Sequence, residues 1–505
     1  MCCGWLQHDE NLMLFSTSKK RQIAFKSVLF FLVFIPLLAI AGTTTQDLPD
    51  FGDSAGRVIS PEYDRRLGQL FLKQIRQYSR IVSDPEVESY IESLGYNLAS
   101  HSDDAEQSFH FFFVDDPAIN AFAGPGGMVG MNTGVILTSE NESELAAVLA
   151  HEISHVTQRH LARYFEEVDR YGLPMLAAML GAIAVAVVDP QAGAAAIAGV
   201  TGLNAQNQIN FTRANEEEAD RIGMQLLAKS GYNPRSMPGF FEKLQKSSRY
   251  AQSSAPEFLR THPLTTSRIA DSEARAEKYP NKEYSNSHTY ELVRYKLLVN
   301  SYKTPNEAIV ALRQTLDAHK GNAKEQLPVR YGLAYAYIAD RDFERARQQI
   351  KYLMDDNADD IAYLLLTAKL ETEDSNYAAA FKIYKKAYGL YPDYKPVVIA
   401  YSRALLDVKQ AKQARNILRN YERHHDHDLT SYSLLGQAEA MLGNEVETAI
   451  LQSEYYYLAG ETQLAADKLK FIQQQYQLDY YQEQRVTARE AELKYELELE
   501  KDIKL

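Results

Sequence analysis

His151-Glu152-Ile153-Ser154-His155 is an H-E-x-x-H pattern inside a stretch with helical rhythm, ESELAAVLAHEISHVTQRHLARYFEEV. Residues i and i+4 share one helical face about a turn apart, so two imidazoles can grip one metal ion. Glu152, beside the first histidine, then reaches a water at the metal rather than the metal itself. Zinc suits this set of imidazole and carboxylate donors and brings the pKa of a bound water toward neutrality. The bland alternative is a pair of surface histidines on an amphipathic helix.

A catalytic zinc takes three protein ligands and keeps one position open. The metzincin continuation of the motif is absent, because Gln158 and Leu161 stand where its glycine and third histidine belong. The third ligand must come from further along, and NEEEADRIG, residues 215–223, is the candidate. Successive carboxylates on a helix point about 100° apart, so at most one of the three glutamates faces a metal squarely. Glu216 and Asp220 are i and i+4, so one can ligate while the other accepts a hydrogen bond from a ligating imidazole and fixes its tautomer. Glu217 has Arg221 in that place and Glu218 has Ile222. The spacing favours Glu216, leaves Glu217 and Glu218 without a role, and keeps a one-residue register slip as the alternative.

HEISHVTQRH followed by NEEEADRIG resembles the zinc metallopeptidase family that contains HtpX and the CAAX prenyl proteases, with its H-E-x-x-H and E-x-x-A-D signatures. The resemblance implies a single Zn2+ per chain held by His151, His155 and Glu216, Glu152 as the catalytic base, and Asp220 as a supporting carboxylate. It also matches Thr261-His262-Pro263 with Arg268 to the family's H-P-x-x-x-x-R element. His262 is then catalytic, stabilising the tetrahedral intermediate, or fills the open zinc position at rest; a plain turn histidine is the alternative. Arg268 is expected to anchor a carboxylate. Arg159 and His160 belong to the resemblance and read as structural.

These residues need elements to hold them. Residues 60–100 read as helices, SFHFFFVDD as a short strand, and Gly124-Pro125-Gly126-Gly127 as a turn into a strand over about Met128–Leu137. Ser139 and Asn141 offer N-caps, with Glu142 and Glu144 suited to the first turn of the H-E-x-x-H helix. NEEEADRIG lies on a second helix running to Gly231. The strand at Met128–Leu137 is expected to pair with an extended substrate. Residues 173–203, rich in Ala, Gly and Val, read as a buried helical hairpin or flap, with membrane contact as the lesser reading.

After residue 280 a polar stretch, KYPNKEYSNSHTY, gives way to a Tyr-, Ala-, Leu- and Gln-rich chain with a period. Ala346, Ala380 and Ala414 are spaced 34 residues apart, and Ala380, Tyr384, Ala387 and Pro392 follow the second helix and exit turn of a tetratricopeptide repeat. Small residues mark the closest approach of paired helices. Three to five repeats are expected, ending in the charged helix RVTAREAELKYELELEKDIKL. HHDHD at 424–428 reads as an inter-repeat turn, with metal binding as the alternative.

The fold class is therefore mainly α: an α+β zincin-type metallopeptidase domain with a small sheet over 42–280, then an all-α solenoid over 281–505. Residues 1–41 read as a signal peptide, since Lys19, Lys20, Arg21 and Lys26 precede SVLFFLVFIPLLAIAG and an A-x-A site; a retained anchor is the alternative. Its removal takes away both cysteines, the single tryptophan and four positive against two negative side chains, moving the net charge from −13 to −15. That balance excludes nucleic acid as the main partner. The order of signal, protease and repeats resembles a periplasmic branch of the family. This implies unfolded or stalled outer-membrane β-barrel proteins and their assembly machinery as partners, with peripheral membrane contact as an addition. A chaperone or assembly scaffold acting through the repeats is the competing class of function.

Overall fold

The computed structural model describes residues 60–104, 107–168, 205–250, 256 and 258–503; the signal-like segment and the Ala/Gly/Val-rich segment at 173–203 lie outside them. Two helices come first, α1 (Pro61–Tyr78) and α2 (Pro85–Ala99). Each starts with proline at the first helical position behind a side-chain cap, Ser60 and Asp84, where a missing N–H costs nothing. A three-stranded sheet follows, β1 (His110–Val114), β2 (Ala121–Ala123) and β3 (Met128–Asn132), in the order β1-β3-β2. β1 runs parallel to β3, pairing Phe112 with Gly130, and β2 runs antiparallel, pairing Phe122 with Gly130. Gly126 and Gly127, at φ 64° and 70°, turn the chain from β2 into β3.

The expected strand to Leu137 is corrected in two respects. It ends at Asn132, and Thr133–Thr138 forms a short helix, α3. More importantly, β3 is the central strand, with both edges already taken, so it has no free side for a substrate. The outer edge of β1 is covered as well: Val82 N–H donates to Phe113 at 2.9 Å and Asp115 N–H to Arg80 at 2.8 Å. The outward groups of β2 belong to Ala121 and Ala123, because Asn132 N–H donates to Asn120 and Gly124 N–H to Met128 on the sheet side. Among the described residues these two meet no backbone partner.

Helix α4 (Glu142–Thr157) is capped by Asn141 and buried along nearly its whole circumference from Glu142 to Ser154. It leads through Arg159, at φ 52°, into α5 (His160–Val168). Helix α6 (Ala205–Lys229) crosses α4 at Gly223, where an added Cβ would sit 3.1 Å from the Ala150 carbonyl and 3.2 Å from His151 Cα. That close crossing sets the distance between the two motif-bearing helices. Helices α7 (Ser236–Tyr250), α8 (Phe258–Thr261) and α9 (Thr266–Ala276) complete this half. Its core joins Val87, Ile91 and Leu94 of α2, Phe111 and Phe113 of β1, Leu145 and Leu149 of α4 and Phe240 of α7. Fully burying each such side chain is worth about 1.5–3 kcal/mol.

The polar stretch before the repeats is tied to the start of α4: the Glu142 carboxylate accepts from Ser287 N–H and Oγ at 2.7 Å each, and from Tyr90 Oη at 3.1 Å. Six consecutive helix pairs follow, α10 (His288–Ser301) with α11 (Pro305–Ala318), α12 (Ala323–Ala339) with α13 (Phe343–Asp356), α14 (Ile361–Glu373) with α15 (Tyr377–Leu390), α16 (Lys395–Asp407) with α17 (Ala411–Tyr421), α18 (Leu429–Met441) with α19 (Glu445–Leu458), and α20 (Thr462–Gln475) with α21 (Tyr480–Ile503). The 34-residue period runs through four of them, α12/α13 to α18/α19. Ala346, Ala380 and Ala414 are fully buried on the second helix of their pairs. The turns inside the pairs carry the same period, with Arg341, Ser375, Lys409 and Gly443 all in the left-handed region, 34 residues apart. HHDHD is the turn into α18: His425 stacks on Tyr421 at 4.2 Å, His427 stacks on Tyr432 at 4.7 Å, and Asp428 caps the helix.

The two halves are pinned together by ion pairs. Buried Lys296 of α10 holds Asp84 at 2.7 Å and also Glu86, and Lys395 of α16 reaches Glu88 at 2.8 Å. The end of the chain returns to its first described helix, where Lys73 of α1 faces Glu500 at 3.5 Å and Arg76 donates to the Leu458 carbonyl. A cavity of about 450 Å3 lies along that seam, walled by Leu70, Leu72, Met128, Leu429 and Leu458. Among the described residues, no helix is long and apolar enough to cross a membrane.

Candidate active site

His151 and His155 leave the same face of α4, and α6 brings Glu216 and Asp220 to them. His155 Nε2 lies 3.1 Å from His151 Nε2 and 3.4 Å from Glu216 Oε1, and His151 Nε2 lies 3.4 Å from Glu216 Oε2. His262, just past α8, joins them with Nδ1 3.3 Å from His151 Nε2 and 3.0 Å from Glu216 Oε1. One donor atom from each of His151, His155, Glu216 and His262 falls within 4.8 Å of all the others. The structure therefore brings all four together.

This donor set fits a metal ion. Ligand atoms about 2.0–2.2 Å from one centre in tetrahedral array stand roughly 3.3–3.6 Å apart, close to the separations found here. Three imidazole nitrogens and a buried carboxylate converge on one point, a composition that suits zinc among divalent ions.

Each element of the surroundings serves the cluster. His151 Nδ1 faces Asp220 Oδ1 at 3.0 Å, somewhat out of line for a full hydrogen bond. Asp220 is in turn gripped by the Arg268 fork, Nε to Oδ2 at 2.7 Å and Nη2 to Oδ1 at 2.8 Å. Arg268 also lies 2.8 Å from Glu216 Oε2 and donates to the Pro263 carbonyl, which fixes the turn that carries His262. Sequence reasoning placed Arg268 at one carboxylate; it serves two.

Glu152 is fully buried, and neither carboxylate oxygen has a hydrogen-bond partner among the described residues; His262 Nε2 is 3.5 Å from Oε1. Burial pushes its pKa up, which makes it a better proton acceptor than an ordinary glutamate. Burial presses His155 well below its usual value, keeping its ring neutral and its lone pair available. For His151 burial is outweighed by the Asp220 and Glu216 carboxylates, which raise it to about 10. Glu216 is held well below its usual value because His262 and His151 outweigh its burial.

One participant was read differently from sequence. His160 Nδ1 lies 2.8 Å from His155 Nδ1, and its Nε2 lies 3.1 Å from Glu218 Oε2. Arg163 holds the same carboxylate oxygen at 2.7 Å. His160 thus touches a candidate ligand, and Glu218 is no idle member of the acidic run. Glu217, by contrast, is exposed. The left-handed Arg159 swings His160 back toward His155, a feature of the backbone that no spacing rule reveals.

Comparison with known proteins follows the same division. Peptidase family M48 matches residues 85–276, and a tetratricopeptide repeat model matches 301–370 and 372–438. The chain is 36% identical to the β-barrel assembly-enhancing protease of Escherichia coli (strain K12) over 444 residues, covering 88% of this chain and 90% of that protein. It is 33% identical to the Yersinia pestis protein of the same name over 456 residues, 89% of this chain and 93% of that one. The mitochondrial metalloendopeptidase OMA1 of Arabidopsis thaliana shares 32% identity over 157 residues, 31% of this chain and 29% of that protein.

Proposed function

The chain belongs to the β-barrel assembly-enhancing protease family, M48 metallopeptidases with tetratricopeptide repeats, and on that premise we propose that it is a periplasmic zinc endopeptidase. It would degrade misfolded or stalled outer-membrane proteins and assist their assembly. In this reading residues 1–41 are the signal, 42–280 the protease and 281–505 the repeat domain. The signal-like N-terminus and the names of the relatives support the compartment and the substrate class.

The observation that carries the proposal is a buried Glu152, without a hydrogen-bond partner among the described residues, beside four convergent donors. His151, His155 and Glu216 would hold the ion. Zinc, when bound, supplies Lewis acidity that polarises a peptide carbonyl and acidifies water. Glu152 takes the proton of the attacking water on a carboxylate oxygen and returns it to the leaving amine. Asp220 and Arg268 hold the His151 ring and the Glu216 carboxylate in place. His262 has two readings: with Nδ1 at the cluster it is a fourth ligand that closes the site, and turned away it donates to the developing oxyanion. The edge left for an extended substrate is that of β2, whose Ala121 and Ala123 meet no backbone partner among the described residues, in place of the strand expected from sequence. Recognition through backbone suits unfolded chains, and the repeats would add partner choice.

The competing reading is a chaperone or assembly scaffold working through the repeats. Metal content and casein cleavage, with and without a chelator, for wild type and Glu152→Gln separate the two. A zinc-loaded wild type that cleaves, beside a zinc-loaded variant that does not, is the expected result. A wild type that cleaves nothing, with a variant that keeps all cellular function, leaves the scaffold.

A further inference from the structure

The two histidines of α4 are supported in different ways. Behind His151 stands a carboxylate, Asp220, with an arginine fork behind it. Behind His155 stands another imidazole, with a carboxylate and an arginine behind that: His160, Glu218 and Arg163, at 2.8, 3.1 and 2.7 Å in sequence. Arg221 faces the other Glu218 oxygen at 3.6 Å.

The protons along this second line follow from the first requirement. A histidine that ligates through Nε2 carries its hydrogen on Nδ1. The Nδ1–H of His155 therefore donates to His160 Nδ1, which must be the bare nitrogen of that ring. The hydrogen of neutral His160 then sits on Nε2 and donates to Glu218, whose charge is balanced by Arg163. Each bond dictates the next, and both ring nitrogens of His160 find a partner. His160 is buried and meets His155 edge to face at 4.8 Å, so the ring has little freedom to leave the line. The left-handed backbone of Arg159 is what turns it inward.

We propose that His160 and Glu218 are positioning residues for the metal centre: together they lock His155 in the tautomer and orientation that present Nε2 to the ion. This rests on the reading of His151, His155 and Glu216 as ligands. It gives Glu218 a part separate from that of Glu216, two residues earlier in the same acidic run.

Zinc affinity of the full-length chain, measured by competition with a chromophoric chelator, tests the assignment. His160→Ala and Glu218→Gln are each expected to weaken binding, by about 10–100-fold for the histidine and less for the glutamate. Glu217→Gln, on the exposed neighbour, is expected to bind as wild type does. Loaded with cobalt(II), the two supporting variants should show altered visible absorption while Glu217→Gln keeps the wild-type spectrum. His160→Gln, whose side-chain carbonyl can accept from His155 Nδ1–H, should recover part of the affinity lost in His160→Ala. Supporting variants that bind zinc within about twofold of wild type with an unchanged cobalt spectrum overturn the proposal. If far-ultraviolet circular dichroism shows that His160→Ala does not fold, Glu218→Gln decides alone, being isosteric and partly exposed. A wild type that binds no zinc removes the ligand reading and this proposal with it; a wild type that binds, with supporting variants that bind equally, removes this proposal alone.

Discussion

The protease half buries a cluster of charged side chains beside its apolar core, whereas the repeat half rests mainly on small and aliphatic contacts. Around α4 the deeply buried side chains include His151, Glu216, Asp220 and Arg268, charge held together by mutual pairing, with Glu152 buried beside them. In the repeats they are Ala346, Ala380, Ala414 and Leu435, small or aliphatic groups where one helix lies against the next. A charged interior is costly to assemble and intolerant of a missing partner, whereas an aliphatic one is sensitive mainly to volume. The first arrangement suits chemistry and the second suits a frame.

That contrast breaks most sharply at Glu152. Glu152→Gln should lower peptide cleavage by about 10²–10⁴-fold while the metal content and melting temperature stay near those of wild type. Cleavage retained within an order of magnitude would return Glu152 to the frame. Next comes Arg268→Ala, which leaves Asp220 and Glu216 charged and unbalanced in the interior. Chemical denaturation of the metal-free protein should show a loss of about 3–5 kcal/mol, and an unaffected midpoint would mean the two carboxylates are balanced by other groups.

The repeats answer to volume instead. Ala380→Leu should cost about 1–3 kcal/mol by overpacking and leave turnover at 25 °C unchanged, checked by denaturation and cleavage of a generic substrate. Smallest is the contact between His288, at the start of α10, and Asp360, which caps α14, at 3.2 Å. The hydrogen bond to Asp360 raises His288 above its ordinary 6.5, against a weaker opposing effect of burial. Its stabilisation is therefore complete below about 6.5 and fades as pH rises through the folded value. The stability difference between wild type and His288→Gln should shrink from pH 6 toward pH 9; a constant difference would show that this pair carries no titrating interaction.

Legibility in the sequence follows the same line. His151, His155, Glu216 and Asp220 were readable because helical spacing alone puts each pair on one face. His262 and Arg268 needed a family pattern, since nothing local says that a turn after α8 reaches α4. The contact of His160 with His155 has no signal in the spacing, because it depends on the backbone angle at Arg159. The strand order was unreadable for a related reason. Met128–Asn132 looks like any short strand, and only the pairing of Gly130 with both Phe112 and Phe122 makes it central. In the repeats the alanine period was plain. The matching turn period at Arg341, Ser375 and Lys409 was hidden, because three unlike side chains share one conformation.

The return of the last helices to α1 bears on how the molecule is made. Lys73 and Glu500 are 427 residues apart in the chain, and Arg76 and Leu458 are 382 apart. A polypeptide that emerges amino-terminus first cannot close this seam until almost its whole length is available. Contacts of such sequence separation are the slow ones to form. The flank of α1 that meets α19 to α21 therefore stays open through most of synthesis, and closes only on a chain whose repeats have been completed.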